Sequence, residues 1–199
     1  MPTGVALHDA RERLFEAAER ILLRAGPSAL TSRAVTEEAG CAKGVLHRHF
    51  ADFDAFLAEL VRERVRRLDD QAAALRRAVG RAGLVDNLTD ALGELFDAVA
   101  VAVVGLVTSR DEVRARLRTT TPHGIPVLTE ATAVIATYLT AERERGRLAD
   151  DADVEALAPM LVGTGHLLFA DRTATPPERD TVRRAVASAL AGTARERAT

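Results

Sequence analysis

The sequence predicts an all-α fold of about nine helices, a small N-terminal three-helix unit followed by a larger helical bundle. Apolar residues recur three and four positions apart between almost every pair of loop signals, and strand-like alternation is absent. The breaks carry glycine, proline and capping residues, the punctuation of helices. With 199 residues, 47% apolar and 28% charged, the chain can bury a substantial core.

The first amphipathic helix is expected over about His8 to Ala25, with Leu14, Ala17, Ala18, Ile21, Leu22 and Ala25 on one stripe, ended by "GPS" at 26–28. In "LTSRAVTEEAG" Thr31 or Ser32 can cap a second helix of two turns, and Gly40 stands where a left-handed terminal residue is wanted. "CAKGVLHRHF" then gives a third short helix that buries Leu46 and Phe50 at i, i+4. A long helix follows from Phe53 to Val79, striped by Phe53, Phe56, Leu57, Leu60, Val61, Val65 and Leu68. Five more are expected over Leu84–Val107, Arg110–Arg118, Gly124–Arg145, Asp151–Arg172 and Pro177–Arg195. The domain division falls at 1–68 and 69–199, with the helix-turn-helix over 31–50.

Several function classes lack support. Cys41 is alone, so no intramolecular disulfide forms, and it is expected as a small residue packed under a turn. The longest apolar run, Ala98 to Val107, falls short of the roughly 20 residues of a membrane span. No basic and apolar leader opens the sequence, so the expected compartment is the cytoplasm. There is no phosphate-binding glycine loop, zinc-spaced Cys/His set or nucleophile with a base beside it, so neither catalysis nor a cofactor is expected. "DDAD" at 150–153 reads as a capped loop, since a helix N-terminus favours carboxylates.

The net charge of −2 does not mark a nucleic-acid binder, and 11 Lys or Arg against 10 Asp or Glu through Leu68 is almost balanced. The local distribution is more informative. Between Ala39 and Ala51 the chain carries Lys43, His47, Arg48 and His49 and no carboxylate. Two short helices around a glycine, with one helix before and a long one after, match the helix-turn-helix, whose second helix enters the major groove. Ala42 and Gly44 leave room for the backbone to approach DNA, Lys43 can reach guanine acceptors or a phosphate, and His47, Arg48 and His49 suit phosphates.

"TSRAVTEEAGCAKGVLHRHF" followed by "DAFL" resembles the N-terminal signature of the TetR family of transcriptional regulators. The likeness covers about His8 to Leu68. It implies that Thr31, Ser32 and Arg33 lie near DNA at the first helix entrance, and that Lys43, Gly44 and Val45 read bases. Two positions depart from the pattern: His47 replaces a phosphate-touching tyrosine and Phe53 a phosphate-binding lysine, and each lost phosphate contact shallows the salt dependence by about one unit of slope. The family implies a homodimeric repressor on a double-stranded palindromic operator, released by a small-molecule effector. The alternative is a helical ligand-binding or scaffold protein whose helix-turn-helix no longer binds DNA.

"ALAPMLVGTGHLLFA", 156–170, carries no formal charge for about four turns and is apolar on more than one side. With the small residues of "VRRAVASALAG" it predicts a dimer interface made by the last two helices. Helical phase offers Phe96, Tyr138, Met160 and Phe169 as apolar effector contacts, and Arg110, Thr121, His123 and His166 as polar ones. A satisfied core or interface histidine is the competing reading of His166.

Overall fold

The computed structural model describes residues 4–42, 44–81, 83–170 and 175–193. Ten α-helices account for most of them: α1 Gly4–Ala25, α2 Ser32–Glu38, α3 Gly44–His49, α4 Phe53–Ala78, α5 Leu84–Leu95, α6 Ala98–Ser109, α7 Asp111–Leu117, α8 Leu128–Glu144, α9 Val154–Phe169 and α10 Arg179–Ala189. A single 3₁₀ turn, Pro27–Ala29, joins α1 to α2. The fold is all-helical, as the periodicity requires. Among the described residues no single helix is long and apolar enough to cross a membrane.

The segment expected as one helix over 84–107 is two. Phe96 leaves helical geometry at φ −109°, ψ 39°, and Asp97 restarts the chain by accepting the Ala100 N–H on Oδ1 at 2.8 Å. An aspartate that satisfies an orphan N–H stabilises a new helix start at that point.

The chain forms two compact units, residues 1–64 with 102–126, and 65–101 with 127–199. In the first, the predicted stripe of α1 (Leu14, Ala17, Ala18, Ile21, Leu22) is buried together with Val35, Leu46, Phe50, Phe56 and Leu57. Ala25, expected on that stripe, is exposed. The second α6 half and α7 add Leu106, Val107, Val113 and Leu117 to the core of this unit.

The second unit packs α8 on α9 and α10 on α5. Its interior contains Leu88, Leu92, Phe96, Ile135, Leu139, Leu157 and Leu161. Gly165 lets α9 approach closely: a Cβ there would stand 2.7 Å from Phe96 Cε2. A polar knot lies in the same unit. Glu142 is fully buried, accepts the Gly80 N–H on Oε1 at 3.1 Å, and pairs with Arg147 Nε at 2.8 Å. Asn87 donates to the Tyr138 hydroxyl at 2.9 Å, and burial holds that phenol above its ordinary pKa. A buried carboxylate is tolerated because it is paired and hydrogen-bonded.

Candidate nucleic-acid interface

The helix-turn-helix is assembled from local rules. Thr31 caps α2, its Oγ1 accepting the Ala34 N–H at 3.1 Å. At the other end Gly40 takes φ +62°, the Gly40 N–H donates to Glu37 O at 3.1 Å and the Cys41 N–H to Thr36 O at 2.9 Å. This pair of bonds is the Schellman closure, in which a left-handed glycine lets the chain reverse while the last carbonyls stay satisfied. From α1, Arg13 Nη2 donates to Ala39 O at 2.8 Å and covers one more carbonyl.

Tertiary contacts fix the motif's orientation. Arg24 and Arg20 of α1 each bond Glu38 at 2.9 Å, and these two hydrogen bonds hold its carboxyl below the usual value. Leu46 is fully buried, and Phe50 joins Phe15 and Phe56 in a ring cluster with centroids 5.0 to 5.9 Å apart. The Arg11 guanidinium covers Phe15 and Phe50 at 5.2 and 5.1 Å, a cation–π contact. Asp52 starts α4 by accepting the Ala55 N–H at 2.7 Å; this bond is the main cause of its lowered pKa, ahead of the opposing burial and the nearby Arg116.

With Leu46 and Phe50 turned inward, α3 presents Gly44, His47 and Arg48 to solvent, and Val45 and His49 are half-buried beside them. Nothing lies within 4 Å of a Cβ built on Gly44, so that side of the helix is open. Thr31, Arg33 and Ala42 are exposed and Ser32 half-buried. The Arg33 side chain is 75% exposed and pairs with Glu37 at 2.7 Å, an exposed i,i+4 bridge that costs little to exchange for another acceptor. Lys43 lies outside the described residues.

With this geometry, the sequence comparison becomes decisive: residues 14–60 match the family described as bacterial regulatory proteins, tetR family. Over residues 14–60 the chain is similar to the TetR family. That match supports a DNA-binding transcriptional regulator. Solved TetR-family structures share the fold along nearly the whole chain. A TetR-family transcriptional regulator of Mesorhizobium loti superposes with TM-score 0.72 at 15% identity, over 98% of this chain and 100% of that one. The fatty acid degradation regulator FadR of Bacillus halodurans gives 0.70 at 18% identity, over 92% and 95%. A TetR-family member from Streptomyces coelicolor gives 0.63 at 24% identity, over 90% and 97%. A comparison with curated protein sequences finds no match.

The residues offered as effector contacts fall in both compact units. Arg110, Thr121 and His123 belong to the unit containing the TetR-family helix-turn-helix, the other five to the second unit. There Phe96 is buried, with His166 and Phe169 ring centroids 6.0 and 6.4 Å away. Tyr138 lies in the polar knot, and Met160 is 56% exposed on α9. The second unit also has a groove of 190 Å³ between α4, α5 and α8, lined by Gln71, Leu75, Asn87, Ala91, Leu95 and Val134 among others. A neighbouring depression of 160 Å³ shares Leu75 and Val134 and includes Thr137 and Tyr138. Sequence periodicity missed these lining residues because they are ordinary members of amphipathic helices.

Proposed function

We propose that this protein is a homodimeric repressor that binds a palindromic operator through Thr31, Ser32, Arg33 and the 42–49 segment, and leaves it when a small molecule binds the C-terminal bundle. The observation that carries this reading is the division of α3: Leu46 and Phe50 anchor it, and Gly44, His47 and Arg48 face solvent behind a glycine turn. Such a face can approach base edges and phosphates in the major groove.

The 190 Å³ groove between α4, α5 and α8 supports an effector site, since it combines aliphatic walls with the amides of Gln71 and Asn87. Release then follows from linkage. An effector that binds better to a conformer whose two recognition helices do not match half-sites about 34 Å apart weakens DNA binding by that preference. The exposed apolar face of α9 supports dimerisation through the last two helices, because Met160 and Leu167 are two of the three large apolar side chains left in solvent among the described residues.

The test is binding to duplexes selected from a random library by the protein itself. Arg33→Ala and Arg48→Ala are each expected to weaken the selected duplex by about tenfold, with dimer and melting temperature unchanged. Loss of a phosphate contact at Arg48 lowers the salt slope by about one. Failure to select any duplex, or unchanged affinity in both variants, would return the reading to a ligand-binding or scaffold protein with a degenerate motif.

A further inference from the structure

We infer that Arg110 is a positioning residue for DNA recognition, a clamp that holds the two ends of the helix-turn-helix in register without touching DNA. The residue stands just before α7, within the 102–126 segment that belongs to the same compact unit as α1–α3. Its Nη2 donates to Leu30 O at 2.8 Å and reaches Pro27 O at 3.5 Å. Leu30 immediately precedes the α2 cap, Thr31. On the far side of the motif, Arg110 Nη1 lies 3.8 Å from Asp54 Oδ1, and its guanidinium stands 5.7 Å from the Phe53 ring centroid. One planar group thus touches the residue entering α2 and the residues that follow α3.

A second tie runs parallel. Arg116 Nη2 bonds Asp52 Oδ2 at 2.7 Å, and Arg62 Nη2 donates to Arg116 O at 2.9 Å. Together these bonds fasten α7 to the N-terminal half of α4. They also give a reason for Phe53. The family resemblance implies a phosphate-binding lysine there, whereas here the ring stacks on Phe56 at 5.7 Å and offers its other contacts to Arg110. The guanidinium suits this place because it combines fixed, planar donors with a stacking face; an ammonium offers neither.

Base readout tolerates little misplacement, so a clamp on both flanks of α2–α3 acts on discrimination between sequences. A phosphate contact would act on all sequences alike and on the salt slope. The two roles are therefore separable.

The inference rests on the DNA-binding reading, and the experiment keeps the two apart. The full chain and its Arg110→Ala, Arg110→Lys and Phe53→Leu variants are titrated against a duplex selected by the unaltered protein and against a scrambled one, over a range of salt. Binding of the unaltered protein to the selected duplex tests the reading. For the inference, Arg110→Ala lowers affinity for the selected duplex by about tenfold or more and leaves the scrambled duplex and the salt slope unchanged. Arg110→Lys shows the same loss, and it carries the test if the alanine variant does not fold. Phe53→Leu shows a smaller loss of the same kind. An unchanged ratio between the two duplexes overturns the clamp, because partial unfolding reduces both affinities equally. A salt slope shallower by about one also overturns it, by making Arg110 a phosphate contact.

Discussion

His166 illustrates how one side chain reports its surroundings. It lies on α9 beside Phe96, its buried Nδ1 makes no hydrogen bond, and burial penalises the imidazolium, so its pKa lies below the ordinary 6.5. The folded state therefore binds this proton less readily than the unfolded chain. Its contribution is fully present above pH 6.5 and is lost as pH falls from there through the lowered folded value. Thermal unfolding near neutral pH and at about pH 5.5 should show a loss of stability on acidification that His166→Gln reduces. An equal loss in both proteins would show that other groups carry it. In the sequence this histidine stands out as the one titratable residue in the uncharged stretch 156–170, but its two candidate meanings are indistinguishable there. Arg110 and Phe53 were less legible still, since their contact joins positions far apart in the chain. Glu142 was hidden in a run of alternating charges that reads as a solvated face, and tertiary contact with Gly80 and Arg147 buries it.

The elements that present α3 were legible because their signals are local. A threonine cap, a glycine after two turns, and Leu46 and Phe50 at i, i+4 suffice to place two helices and to say which face is inward. Gly40→Ala tests that link between sequence and element. At φ +62° an alanine Cβ is strained by about 1 kcal/mol, which for a chain of this size lowers the melting temperature by roughly 2 to 4 °C. DNA affinity should fall by more than that energy implies, because the turn that relaxes is the one that aims α3. Calorimetry and DNA titration on the same samples compare the two losses. If affinity falls no further than stability requires, the turn is merely a stop for α2. Elsewhere the local signals are ambiguous or silent. Asp97 can cap a helix as well as sit within one, so the break in 84–107 has no sequence signal of its own and shows only in the bond from the Ala100 N–H to its side chain. The grouping of residues 102–126 with the N-terminal unit has no local signal at all, because Val113 and Leu117 present the same stripe whichever core receives them.

At the scale of the whole molecule, the exposed face of α9 requires an explanation that a single chain does not supply. Met160 and Leu167 are 56% and 77% exposed, and Gly163 between them has no atom within 4 Å of where its Cβ would stand. Seven residues is two helical turns, so the three share one face. Full burial of each large side chain is worth about 2 kcal/mol, and the glycine allows a partner helix to come close. A second copy offering the same face about a two-fold would bury both side chains twice over. Leu167→Glu should therefore convert a dimer into a folded monomer: the site is exposed in one chain, so its melting temperature changes little, while the carboxylate opposes association. Operator binding falls with it, because two recognition helices held at one spacing bind paired half-sites far more tightly than one alone. Sedimentation velocity and DNA titration of the variant read the two consequences separately. A variant that remains dimeric would move the interface off this face of α9. One that becomes monomeric yet keeps full operator affinity would separate dimerisation from DNA recognition and remove the two-fold from the proposed mechanism.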